Sequence, residues 1–161
     1  MALRGSLVGG MSMGTGVYGK GGLGNYVTIS RNSGDTSLQP LILVQALTSI
    51  DSIALQGKNA TFTVCVANPG SGYNGTFQIA ILAGTGQDQN YASGITGMTT
   101  LASGNFTPTG SLQNCSITTP TPILDTYTQI LVRITYTPSQ ATAPANESFA
   151  IYGTKLEVGS S

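Results

Sequence analysis

At 161 residues, with six basic and six acidic side chains and no histidine, the chain is long enough for one domain with a real core and too short for two ordinary ones. Charged residues make up only 7% of it, which leaves no electrostatic footprint for DNA, RNA or an anionic membrane. Without histidine there is no Ser-His or Cys-His nucleophile and no imidazole metal ligand, so the chain is read as a non-enzyme without cofactors.

The N-terminus, Met1 to Gly10, shows no apolar run of signal-peptide length, so no secretory leader is expected. No stretch approaches the roughly 18 consecutive apolar residues of a membrane-spanning helix. Residues 1–37 crowd glycines at 9, 10, 14, 16, 19, 21, 22, 24 and 34, a composition that disfavours a helix and buries little surface. The segment reads as an extended arm. Gly19-Lys20 within it lacks the preceding strand, following helix and adjoining hydroxyl residue of a phosphate-binding loop. One stretch, Asn25-Tyr26-Val27-Thr28-Ile29-Ser30-Arg31, alternates and predicts a strand, lying either on the chain's own domain or on a neighbour's sheet edge.

Residues 38–161 read as the folded domain. Ala60 to Ala67 alternates with Phe62, Val64 and Val66 on one face and Thr61, Thr63 and Cys65 on the other, and stops at Asn68-Pro69-Gly70. After the turn signal Asn74-Gly75, Phe77, Ile79 and Ile81 repeat the pattern, so these two strands pair or face each other. Gln129 to Tyr136 carries Ile130, Val132, Ile134 and Tyr136 inward and Arg133 outward. Weaker strands are expected near 41–47, 50–55, 95–101, 111–118 and 148–158, with helix close to nil. The fold class is all-β, a single sandwich that is immunoglobulin-like or, alternatively, a jelly roll.

Cys65 and Cys115 offer one intramolecular bridge, with two buried thiols as the alternative. The acids Asp35, Asp51, Asp88, Asp125, Glu147 and Glu157 are scattered singly, as turn and cap residues are, and do not form a glycosidase pair. Asp88 among Gln87, Gln89 and Asn90 is too poor in carboxylates for calcium. The sequons at Asn59, Asn74, Asn114 and Asn146 are what a chain rich in Asn, Ser and Thr shows by chance. The exposed hydroxyl and amide side chains suit carbohydrate, although the absence of tryptophan removes the usual stacking platform.

The passage from Gly57-Lys58-Asn59 through Val66-Ala67-Asn68-Pro69-Gly70 resembles the immunoglobulin-like domains of bacterial surface and phage structural proteins. Asp125-Thr126-Tyr127 ahead of the Ile130 strand looks like the tyrosine corner of such sandwiches. One departure is that Cys115 precedes Asp125 and the Ile130 strand has no cysteine, unlike the antibody-type bridge. A glycine-rich arm ahead of a sandwich also resembles subunits of viral shells.

From these features the leading expectation is a structural virion protein, a capsid, decoration or minor shell subunit of a bacteriophage. Its partners would be copies of itself or other structural proteins of the assembly. Deleting residues 2–37 is then expected to leave a folded monomer that does not assemble. The alternatives are a filament or adhesin subunit at the cell surface, assembled by strand complementation, and a carbohydrate-binding module.

Overall fold

The computed structural model describes residues 4–6, 11–17, 25–68, 75–139 and 147–159. Ten strands appear in chain order: β1 (Arg4–Ser6), β2 (Met11–Val17), β3 (Asn25–Arg31), β4 (Leu41–Ala46), β5 (Ala60–Ala67), β6 (Gly75–Gly84), β7 (Thr99–Phe106), β8 (Gln113–Thr118), β9 (Gln129–Pro138) and β10 (Ser148–Val158). They form two five-stranded antiparallel sheets. Sheet A has the order β1-β4-β9-β6-β7 and sheet B the order β2-β3-β10-β5-β8.

Alternation explains why the sheets stack. Phe62, Val64 and Val66 of β5 face Phe77, Ile79 and Ile81 of β6 across the sandwich, joined by Ile130, Val132, Ile134 and Tyr136 of β9 in one apolar core. The two strongest predicted strands therefore face each other and do not pair. Phe149 packs against the rings of Phe77 and Tyr136 at centroid distances of 5.5 and 5.2 Å.

The connection order is that of a jelly roll and not of an immunoglobulin-like domain. From β3 to β10 the chain changes sheet at every connection except β6–β7, whereas the immunoglobulin order retains consecutive strands within a sheet. The alternating pattern of single strands carries no information about this order, because both folds use the same half-buried strand.

The described parts of residues 1–37 belong to the sandwich. β1 pairs with β4, and β3 lies between β2 and β10 with Ile29 opposite Phe149 and Val27 opposite Ile151. The candidate assembly strand Asn25–Arg31 thus forms as a strand but is hydrogen-bonded on both sides within its own chain. The glycine-rich segments 7–10 and 18–24 lie outside the described residues, as do Pro69, Gly70, Asn74 and Asn146.

A second correction concerns the strand expected at 50–55, which is a one-turn helix, α1 (Ser49–Ile53). Thr48 and Asp51 explain it: the Thr48 hydroxyl accepts the Asp51 N–H and donates to its carboxylate, a cap that starts a helix. Asp88, held at a left-handed φ of 49°, accepts the Ser49 N–H at 2.8 Å and its hydroxyl at 3.1 Å, so its carboxylate serves the same helix. Strand β7 starts later than expected, since residues 85–98 form a loop with a short 3-10 turn at Tyr91–Ser93. That loop folds over the outer face of sheet A.

Candidate functional site

The outer face of sheet B is built from the residues the alternation turns away from the core. Thr63 and Cys65 point outward on β5, Asn114 and Ser116 on β8, and Lys155 and Glu157 on β10. The ladder sets Thr63 opposite Lys155 on one side and Ser116 on the other, and Cys65 opposite Gly153 and Asn114. Together with Thr154 they line an open groove of about 440 Å³. The Thr63 and Ser116 hydroxyls hydrogen-bond at 2.9 Å, and Lys155 pairs with Glu157 at the rim.

Two features of β10 shape this groove. The register shifts between Ile151 and Gly153, a bulge that pushes Tyr152 out of the regular alternation. Tyr152 meets Tyr26 of β3 on the same outer face, ring centroids 5.2 Å apart. Beyond the bulge, Gly153 leaves the groove floor bare, with no described atom outside its two chain neighbours within 4 Å of where a Cβ would stand. Hydroxyls, an amide, an ion pair and a half-buried tyrosine pair thus share one open surface. Such a surface can exchange hydrogen bonds with a polyol and offer an aromatic edge to an apolar ring face.

The sequence-predicted site residues are distributed differently. Cys65 and Cys115, the candidate disulfide pair, are free thiols in this structure. Cys115 pairs in register with Val64 and faces the core, while Cys65 is one residue further on and faces outward, so the two lie on opposite sides of the sheet. Burial pushes both thiols up from their ordinary pKa, and for Cys115 a hydrogen bond from Gln113 works against that rise. Asp125 is exposed. Tyr127 is half-buried and packs on the core edge, and its carbonyl accepts the Gln56 side-chain amide at 2.8 Å.

Glu147 departs most from its sequence reading as a turn residue. It is buried, accepts Arg31 Nη1 at 2.8 Å and accepts the Tyr136 hydroxyl. Arg31 also donates to the carbonyls of Asp35 and Ser37 at 2.9 and 3.0 Å, tying the end of β3 to the loop that follows. This is a buried ion-pair cluster. Among the described residues no group of acids, cysteines or histidines is arranged to hold a metal ion, and no helix is long and apolar enough to cross a membrane.

The outer face of sheet A is of another kind. Val44, Ala80, Leu82 and Leu131 form an apolar patch that the 85–98 loop covers with Ile95, and Tyr91 packs against it. A Cβ at Gly84 would overlap the Ile95 side chain, so glycine there lets the loop close down. The rest of that face carries Arg133, Thr135, Gln78 and Asn105 in adjacent register positions.

No family model and no curated protein matches the chain. Solved structures do. The carbohydrate-binding module TmCBM61 in complex with β-1,4-galactotriose is similar at a TM-score of 0.53 and 12% identity, covering 98% of this chain and 88% of that one. The CBM22-1–GH10 modules of xylanase 10B from Clostridium thermocellum, complexed with xylohexaose, give 0.56 and 12%, over 96% of this chain and 26% of that one. The enzymatically active domain of tailspike protein 4 from bacteriophage CBA120 gives 0.59 and 10%, over 98% and 19%. The chain thus spans about a fifth of the tailspike chain and about a quarter of the xylanase chain. What these likenesses share with the chain is the β-sandwich fold, and the similar structures are mostly carbohydrate-binding modules.

Proposed function

We propose that this chain is a non-catalytic glycan-binding module that holds a neutral oligosaccharide in the groove on the outer face of sheet B. The observation that carries the reading is the groove itself: polar side chains from three strands around a bare Gly153 floor, with Tyr26 and Tyr152 on the same face. The tyrosine pair supplies an aromatic surface in a chain that has no tryptophan. Binding is favoured over hydrolysis because the groove lining holds a single carboxylate, Glu157, already paired with Lys155, where glycoside hydrolysis uses two acids across the scissile bond. The ligands bound in two similar structures, a β-1,4-galactotriose and a xylohexaose, make β-1,4-linked neutral chains the first candidates. A module of this kind acts where polysaccharide is met, at a cell surface, outside the cell or on a virion.

Affinity electrophoresis through gels containing galactan or xylan tests the reading. Retarded migration that Tyr152→Ala weakens by about tenfold, the equivalent of about 1.4 kcal/mol, supports it. Unretarded migration in both gels and in a wider panel of neutral glycans contradicts it.

A second reading, a virion structural subunit, is favoured by the likeness to the phage tailspike. In that reading the sandwich is a rigid block displaying the same groove, with assembly through edge strands such as β7 and β8, since β3 is already paired on both sides. Light scattering that finds large particles of the full-length chain supports this second reading, and a monomer counts against self-assembly.

A further inference from the structure

Two polar atoms on the outer face of sheet A are buried without a hydrogen-bond partner, Nε of Arg133 and Oγ1 of Thr135. They stand two residues apart on the same side of β9, the central strand of its sheet. In register, Arg133 lies between Val44 and Ala80, and Thr135 lies between Ile42 and Gln78. Gln78 in turn faces Asn105 on β7. Arg133 Nη2 donates to Gln78 Oε1 at 3.3 Å, and Gln78 Nε2 donates to Asn105 Oδ1 at 3.0 Å, so the Gln78 amide is held with its oxygen toward the arginine.

Among the described residues no carboxylate is within ion-pair distance of Arg133, whereas Arg31 has Asp35 and Glu147, and Lys155 has Glu157. A guanidinium between a valine and an alanine, with one long hydrogen bond and no counter-charge, is poorly compensated for the water it has lost. Next to it a hydroxyl has the same deficit. Unsatisfied polar groups that adjoin along one row of oriented amides are a sign of a missing partner.

We propose that this row is a second ligand site, on the sheet opposite the groove, and that it takes the carboxylate of an acidic sugar unit. The planar guanidinium edge of Arg133 matches the two oxygens of a single carboxylate. The Nε and Nη2 edge of Arg133, now spent only on the long bond to Gln78, is the edge that grips a carboxylate with two parallel hydrogen bonds. Gln78, released from Arg133, then turns its oxygen to a sugar hydroxyl, with Thr135 and Asn105 beside it. Across three strands the row from Thr135 to Asn105 extends about 10 Å, room for a saccharide and more than a lone ion needs. The choice of a sugar to carry the carboxylate rests on the glycan-binding reading, but the site is independent of the groove on sheet B.

Titration calorimetry with an oligogalacturonate, a neutral galacto-oligosaccharide of the same length and a polyglutamate peptide tests this on the wild type, Arg133→Met, Thr135→Val and Gly153→Val. The oligogalacturonate is expected to bind the wild type, to weaken about tenfold or more in Arg133→Met and to weaken with added salt. Thr135→Val, which keeps the side-chain shape, is expected to weaken it less, and Gly153→Val to leave it unchanged. That pattern supports the site even if no neutral glycan binds, an outcome that would overturn only the groove reading. Absence of oligogalacturonate binding to the wild type, equal binding to a folded Arg133→Met, or equal binding of polyglutamate overturns the proposal.

Discussion

The two outer faces of the sandwich start from the same alternation and end with different chemistry. On sheet A, Leu82 and Leu131 point away from the core and are covered again by the 85–98 loop, so that half of the face becomes a second, smaller core. On sheet B the corresponding positions Thr63, Cys65, Asn114 and Ser116 line an open groove. Inner faces answer to the fold, which asks only for apolar volume. Outer faces are free to be lidded or left open, and the open one is where a ligand can arrive.

The largest effect is expected where both sheets depend on one segment. Removing residues 2–37 strips β1, β2 and β3, exposes Phe149 and Ile151 and leaves Glu147 buried without Arg31. Circular dichroism of that deletion should show an unfolded chain, the opposite of the folded monomer that an independent arm would leave. The single change Glu147→Ala isolates the ionic part, and because it leaves a buried guanidinium without its main partner, denaturant unfolding should show a loss of about 3–5 kcal/mol.

Next in size is the lidded face. Leu131→Ala beneath Ile95 should cost about 2–5 kcal/mol in the same assay, whereas Thr63→Ala on the open face should stay within about 0.5 kcal/mol. Equal costs at these two positions would dissolve the distinction between the faces. Smallest is the effect of the thiols. Burial raises both pKa values in the folded state, so each thiol adds stability below the ordinary thiol range that is lost as pH rises through the folded value. Thermal melts from neutral to alkaline pH should therefore fall less steeply for Cys65→Ser combined with Cys115→Ala than for wild type, and reduction should leave the neutral melt unchanged because no bridge exists.

The core of the fold was legible in Phe62, Phe77 and Ile130, because period-two alternation reports which side of a strand is buried. Sheet order was not, because it depends on which distant strands meet: nothing local to residues 25–31 tells that β10, over a hundred residues later, lies beside them. The groove was half legible. Thr61, Thr63 and Cys65 showed a polar face, but Gly153 and Tyr152 enter it through a bulge that leaves no clear mark in Ile151-Tyr152-Gly153-Thr154. Glu147 and Asp88 were read as turn acids, and only Asp88 is used as a cap, since burial of an ion pair across 116 positions has no sequence signature.

The most direct test of the glycan-binding account is Gly153→Val, because a Cβ added there points into open space at the groove floor. Amide chemical-shift titration with β-1,4-linked galacto- and xylo-oligosaccharides should move resonances of β5, β8 and β10 around the groove in the wild type and lose that response in a variant of unchanged melting temperature. Shifts that persist in Gly153→Val, or that map away from these strands, would contradict the assignment of the groove.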